Sequence, residues 1–290
     1  VDTYSVLQLL RDLILNTAPT YYQIAGGNDR LPRALAEQLS AYITYQAPVT
    51  RIAQSTDAVQ VSFLENNATP QTISADRVVC SVPLTVLDRI DMQPALSPEK
   101  QRAIDELAYT SVSRVMVQTK TRFWQDQGKS GYTATDLPIA LAGDTTFSQS
   151  GQRGILESLT AGNKARQIGT LSHDDRLKFV LPHMEAVFPG VANHMETSAS
   201  ISWDADEWAK GGYVWFQPGQ MGQHLPTIAQ PQGRIHFAGE HTSPWNGWMQ
   251  GALESGERAA QEILTTGLKV SRLPDLKTSS KTAIQCLRHR

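Results

Sequence analysis

Cysteine is scarce in this 290-residue chain, which has two, Cys80 and Cys286. Two cysteines make no disulfide framework, and no metal-ligand spacing occurs. Cys80 lies in the apolar run Val78-Val79-Cys80-Ser81-Val82, where a free thiol packs as a small hydrophobe. An excess of charge is also missing: 26 Lys and Arg face 28 Asp and Glu, for a net charge of −2. That balance leaves no electrostatic case for nucleic acid. No apolar run approaches the roughly 20 residues of a membrane-spanning helix. None of the 20 glycines falls in a Gly-x-Gly-x-x-Gly pattern, the spacing that brings backbone against a dinucleotide pyrophosphate. The chain opens Val1-Asp2-Thr3-Tyr4, with neither an initiator Met nor a signal-peptide pattern. Targeting signals on a longer N-terminus would lie outside it, so no compartment is assigned.

What is present suffices for one large domain or two ordinary ones, at 40% hydrophobic residues. Residues 1 to 17 have helical spacing, with Val6, Leu9, Leu10, Leu13 and Ile14 on one side. Gly26-Gly27-Asn28-Asp29 is turn material, and Pro32 sits early in a second helix running to about Tyr42. Val49 to Ile52, Ala58 to Leu64 and Arg77 to Val82 read as three strands of a meander. A helix follows Pro98, and Ser111 to Thr119 alternates as a strand. Ile155 to Thr160 and Ala199 to Trp203 are further strands. Asp174 to Val187 has helical spacing, which Pro182 is expected to kink or split. From Thr266 the composition changes to six Lys or Arg against one acid, Asp275. That composition predicts a disordered tail over 266–290.

The most specific stretch runs Gly233-Arg234-Ile235-His236-Phe237-Ala238-Gly239-Glu240-His241-Thr242, then Asn246-Gly247-Trp248-Met249-Gln250-Gly251-Ala252-Leu253-Glu254-Ser255-Gly256. It reads as a buried strand, a glycine turn with a carboxylate, and a helix from Trp245 to Ile263. Gly247, Gly251 and Ser255 recur at every fourth position, and Ala252, Gly256 and Ala260 repeat the spacing one residue on. Such stripes let a helix lie close to a sheet or a planar cofactor. The helix start offers unpaired N–H groups and a partial positive charge.

This segment resembles the C-terminal flavin signature of the flavin amine oxidases, the family of monoamine oxidases and L-amino-acid oxidases. Gly26-Gly27-Asn28-Asp29-Arg30-Leu31-Pro32 resembles the family's Gly-Gly-Met-Asp-x-Leu-Pro turn. Ala47-Pro48-Val49-Thr50-Arg51-Ile52 and Ala75-Asp76-Arg77-Val78-Val79-Cys80-Ser81-Val82-Pro83 fit in order and spacing. The resemblance runs from about Tyr21 to Leu264 and corresponds to the C-terminal portion of a longer enzyme. It implies an α/β fold: a partial FAD-binding domain from 21–91 and 230–265, and a substrate domain from 1–20 and 92–229 with a mixed sheet and flanking helices. It implies oxidation of a primary amine or L-amino acid to the imine, with oxygen reduced to hydrogen peroxide.

The resemblance also implies roles. Gly239 and Glu240 belong to the FAD-binding turn, with Glu240 toward the ribityl or phosphate region. Gly247 and the backbone N–H groups of Trp248 and Met249 would face the flavin O2 edge. Val49 would lie against the adenine end. The Trp248 ring would pack beside the substrate amine, and Tyr213, in Gly211-Gly212-Tyr213, would line the substrate cage. Some relatives have Cys after those glycines and bind FAD covalently; with Tyr213 there, FAD is expected to be non-covalent. Arg114 stands where the family usually has a Lys linked through water to flavin N5, and its planar guanidinium keeps the charge but not the chemistry of an amine. Ile139-Ala140-Leu141-Ala142-Gly143-Asp144 lacks the Tyr that holds a substrate carboxylate in amino-acid oxidases, which favours simple amines. Two rivals stay open. One is a carotenoid or porphyrinogen oxidoreductase with a related fold. The other is a non-catalytic fragment or one chain of a split enzyme, completed by an N-terminal companion segment.

Overall fold

The computed structural model describes residues 5–16, 22–265 and 286–288. The chain divides into two compact units, Val1–Ala108 with Tyr213–Arg290, and Tyr109–Gly212. These boundaries differ from those of the segments expected to serve FAD and substrate. Of the tail, Cys286–Arg288 are described and form a strand antiparallel to Tyr22–Ile24; the rest of 266–290 lies outside the described residues. No helix among the described residues is long and apolar enough to cross a membrane.

The first unit holds a four-stranded sheet in the order Thr69–Ala75, Val59–Glu65, Val49–Gln54, Asp91–Gln93. The first three strands form an antiparallel meander, and Asp91–Gln93 joins parallel to Val49–Gln54. The sequence reading chose the wrong third strand for this meander. Asn66 and Asn67 both adopt positive φ (52° and 59°), which turns the chain tightly and sets Glu65 opposite Thr69. Thr69–Ala75 is mostly exposed, so no apolar alternation marks it. The apolar run Val78–Cys80 pairs elsewhere, parallel to Ile235–Phe237.

Besides the helix Val6–Asn16, which carries Arg11, three helices of this unit frame the site among the described residues. Pro98–Glu106 starts on Ser97, whose hydroxyl accepts the Lys100 N–H at 3.2 Å, as an N-cap should. Gln220–Ala229, which Gly222 and Pro226 hide from periodicity, is a finding of the structure. The third, Met249–Thr265, buries Gly251, Ser255 and Ala259. It begins later than expected, so Trp245 to Trp248 belong to the loop before it.

The second unit is a five-stranded sheet in the order Met195–Ser202, Val112–Thr119, Gly154–Ala161, Leu141–Asp144, Thr133–Ala134. All its pairings are antiparallel; the mixed sheet is the one in the first unit. Gly154–Ala161 alternates between buried and more exposed residues, so one face serves a core. Val115, Val117, Leu156, Val180, Met184 and Phe188 fill that core around Trp124, which is fully buried. Phe123 meets Trp124 edge-on at 5.3 Å. Removing such a ring typically costs about 3–5 kcal/mol. His173–Val187 is one continuous helix with Pro182 inside it, so the proline does not split it.

Candidate flavin site

The site is built on the turn after Ile235–Phe237, a strand with all three residues buried. Ala238 N–H continues the parallel pairing to Cys80 O at 3.0 Å. Gly239 then adopts φ +113°, and a Cβ there would lie 2.4 Å from the His241 ring. Only glycine fits both conditions. Gly239 N–H donates to Ser255 Oγ at 2.9 Å, and that hydroxyl donates to Ala252 O at 2.9 Å. The turn is thereby fastened to the helix that follows it.

Glu240 is the hub of the loop. One carboxylate oxygen accepts Val214 N–H at 3.2 Å and the other accepts Gly247 N–H at 2.6 Å. Burial pushes its carboxyl up, and the amides of Gly247 and Val214, then Arg11, oppose that shift. Asn246, 1% exposed, donates from Nδ2 to Val214 O at 3.0 Å. Val214 is therefore held at both its N–H and its C=O. This fixes the strand Tyr213–Trp215 and places the Tyr213 ring against Gly247, where a Cβ would meet it at 3.2 Å. Gly247 has φ +80°. Arg11 donates to Pro244 O at 3.1 Å and Asn246 O at 2.9 Å, and also to Asn246 Oδ1.

The structure thus brings Tyr213, Gly239, Glu240, Gly247, Trp248 and Met249 to one loop and helix start. Trp248 and Met249 are each 45% exposed. Trp248 N–H donates to Trp245 O at 3.2 Å, which leaves the Met249 amide as the first one the helix cannot satisfy itself. Gly251 is buried, and a Cβ on it would lie 2.4 Å from Trp245 O. The close approach read from the small-residue stripe is thus made to the loop carbonyl.

Val49 opens the strand Val49–Gln54 and faces Phe63 across the ladder. The other end of that strand reaches the site's frame: Gln54 accepts Arg234 N–H at 2.7 Å and donates to Gln232 O at 3.1 Å. Arg114 belongs to the other unit. It lies on Val112–Thr119 and pairs with Glu157 at 3.0 Å. Burial raises the Glu157 carboxyl, and Arg114 works against that rise.

Sequence reasoning missed the residues behind the loop. Arg258 donates to Phe237 O at 2.8 Å, Thr242 Oγ1 at 3.0 Å, Ala229 O at 3.1 Å and Glu262 at 2.6 Å. Glu262 also contacts His236 Nδ1 at 2.8 Å. Lys100 Nζ donates to the carbonyls of Thr227, Ile228 and Gln230 at 2.6, 3.2 and 2.8 Å, closing the end of Gln220–Ala229. Burial, then Arg258, brings its pKa down to about 8. His241 is buried, and desolvation followed by Arg258 lowers its pKa to about 4, so it is neutral at pH 7. His236 and His241 are frame residues of the turn. No motif marks Arg258 or Lys100 in advance; each is an ordinary charge on a helical pattern.

On this α/β frame one loop brings the Tyr213 ring against Gly247 and leads through Trp248 into the start of the helix Met249–Thr265. The family profile described as flavin containing amine oxidoreductase matches residues 5–264, and the chain belongs to that family. Its cofactor class is accordingly a flavin. A mouse L-amino-acid oxidase is 32% identical over 249 residues, 84% of this chain and 39% of its own. A Bacillus subtilis (strain 168) protein, YobN, is 33% identical over 267 residues, 89% of this chain and 56% of its own. In fold, the chain is similar to a putrescine oxidase variant, with a TM-score of 0.75 and 22% identity over 83% of this chain and 53% of the other. The chain spans about half the length of the curated relatives it matches.

Proposed function

We propose that this chain supplies the flavin-ring half of an FAD-dependent oxidase acting on a primary amine or an L-amino acid. The observation that carries this reading is the Glu240 clamp, which holds Val214 and Gly247 and so fixes the loop leading into Met249–Thr265. The residues present fit a flavin. The Met249 amide and the positive helix end suit a ring that gains negative charge on reduction. Left-handed Gly247 keeps the loop thin beside Tyr213. Each oxygen of Glu240 accepts one amide, and a carboxylate has further lone pairs for ribityl hydroxyls. Val49 is assigned to the adenine end.

Bound flavin supplies the two-electron acceptor for the amine C–H bond. Tyr213 and the Trp248 ring orient the amine. Arg114, held by Glu157, keeps a fixed positive charge that positions water. No side chain is assigned as the base, and buried, neutral His241 is not one. In the net reaction the amine gives up its α-hydrogen and one N–H hydrogen, with two electrons, to molecular oxygen. The products are the imine and hydrogen peroxide, and water then hydrolyses the imine to a carbonyl compound and ammonia. With Tyr213 where some relatives have Cys, the FAD is non-covalent. Residues 21–91 and 230–265 are assigned to FAD, and 1–20 and 92–229 to substrate.

Two observations favour a split or longer enzyme: the chain lacks Gly-x-Gly-x-x-Gly, and it spans about half the length of its relatives. The pyrophosphate site then comes from a companion segment, in cis or in trans. The test is peroxide release after reconstitution with that segment, using primary amines and L-amino acids in parallel. Turnover is expected with faster rates on primary amines, since Ile139–Asp144 offers no Tyr for a carboxylate. A flavin-loaded protein that oxidises neither class would contradict the reading.

A further inference from the structure

Asn246-Gly247 is the only Asn-Gly pair in the chain, and the loop dictates both residues. Position 246 must donate to Val214 O, which Nδ2 does at 3.0 Å, and accept from Arg11, which Oδ1 does. A side-chain amide has both capacities; a carboxylate has no donor. Position 247 stands at φ +80°, with the Tyr213 ring 3.2 Å from where a Cβ would lie, so it is glycine. The same pair is chemically labile. The amide carbon of an asparagine is open to attack by the backbone nitrogen of the next residue, and glycine, with no Cβ, shields that nitrogen least.

The fold holds the reacting groups in place. Both ends of the Asn246 amide are tied, and Gly247 N–H donates to Glu240 at 2.6 Å. Attack needs the nitrogen stripped of its proton, and a carboxylate beside it disfavours a second negative charge. Asn246 is 1% exposed, which keeps water from it. Arg11 is the removable part of this lock. Its helix, Val6–Asn16, leaves Val6, Leu10, Leu13 and Ile14 at least half exposed. A segment that buries little apolar surface opens at low cost.

We propose that Asn246-Gly247 is a self-modification site, kept intact by Arg11, Val214 and Glu240, and converted to aspartate and isoaspartate when that lock opens. Gly247 N bonds to Asn246 Cγ, the Cγ–Nδ2 bond breaks, and ammonia leaves with the Gly247 amide proton. Water then opens the cyclic imide. Cleavage at Cγ gives aspartate. Cleavage at the main-chain carbonyl gives isoaspartate, whose backbone runs through the former side chain. Either product loses the donor to Val214 O and puts a second carboxylate into the loop that Glu240 already serves. Isoaspartate also adds a backbone carbon before Gly247, which takes its N–H off Glu240. Water is the one co-reactant, so the loop carries its own limit on lifetime. The expected consequence, weaker flavin binding, rests on the proposed function; the chemistry at Asn246 does not.

The test incubates the full 290-residue chain at neutral pH, folded and in guanidinium chloride. Its peptides are read by mass spectrometry, with isoaspartate scored separately. In denaturant, Asn246 should convert at least tenfold faster than any other asparagine, and at least tenfold faster than in the folded chain. Arg11→Met and Glu240→Ala, shown to be folded by their melting transitions, should each convert at least tenfold faster than the folded unaltered chain. If a variant fails to fold, the unaltered chain decides: in sub-denaturing guanidinium, conversion of Asn246 and amide exchange at Gly247 should rise together. Conversion that rose while Gly247 stayed protected would overturn the lock, as would equal rates in folded and unfolded chains or folded variants no faster than the unaltered chain. Slower conversion in Glu240→Ala would make Glu240 the base that drives the reaction and overturn its protective role. An Asn246 that stays intact in denaturant would overturn the site itself. None of these readings uses flavin, so their failure is distinct from failure of the flavin reading.

Discussion

Arg114, which the resemblance sets where the family usually has a Lys, has a partner in the structure, Glu157, at 3.0 Å. The Glu157 carboxyl is largely buried, and the guanidinium offsets part of the cost of its charge. Pairing also fixes where the positive charge stands. In a reconstituted enzyme, Arg114→Met should bind FAD and be reduced by substrate at a nearly normal rate under nitrogen, because the C–H step does not use the cation. Reoxidation should slow by about tenfold or more, since a fixed charge stabilises developing superoxide electrostatically. Stopped-flow spectroscopy resolves the two half-reactions. Unchanged reoxidation would reduce Arg114 to a partner for Glu157. A faster oxygen reaction in Arg114→Lys would point to a dehydrogenase with another electron acceptor.

At the scale of elements, the helix Met249–Thr265 was legible because its small residues repeat at helical spacing. What they touch was not. Gly251 meets the Trp245 carbonyl, a contact made by a loop whose path depends on Glu240 and Asn246. Replacing Gly251 with Val places side-chain carbon against backbone that cannot move aside. Such overpacking costs about 1–3 kcal/mol or more. The variant is expected to melt lower and to lose FAD binding after reconstitution; a Gly251→Val protein with normal melting and flavin content would refute the close approach. The meander shows the opposite case. Thr69–Ala75 is mostly polar and exposed, and it is a strand because the Asn66-Asn67 turn returns it onto Val59–Glu65. The Val78–Cys80 run looked like that strand because buried parallel strands are continuous apolar runs. Its partner, Ile235, lies far along the sequence, beyond any local pattern. Gln220–Ala229 was missed for a similar reason: Gly222 and Pro226 weaken its pattern, and Lys100 from another helix supplies the carbonyl partners that end it.

At the scale of the whole molecule, the buried frame behind the turn makes stability depend on pH. His241 has a folded pKa of about 4 against an ordinary 6.5. Between those values the unfolded chain binds a proton that the folded chain refuses, so stability falls as pH drops from 6.5 toward 4, by on the order of a few kcal/mol. Glu240 acts oppositely. Its raised carboxyl pKa means that the folded chain holds the proton more tightly, which adds stability as pH falls through that raised value. Urea midpoints compared between about pH 7 and about pH 4.5 should therefore fall less in His241→Gln than in the unaltered chain. Equal falls in the two proteins would mean that His241 takes up its proton without cost in the folded state.

On the proposed function, this chain holds the residues for a flavin ring and not those for the pyrophosphate. Flavin content after purification tests it most directly. The isolated chain should carry FAD well below one equivalent. The same chain purified with a Gly-x-Gly-x-x-Gly segment should be yellow, and acid should release the colour as free FAD. Full flavin occupancy in the isolated chain would contradict the half-site account, and flavin that stayed on the acid-denatured protein would contradict non-covalent binding.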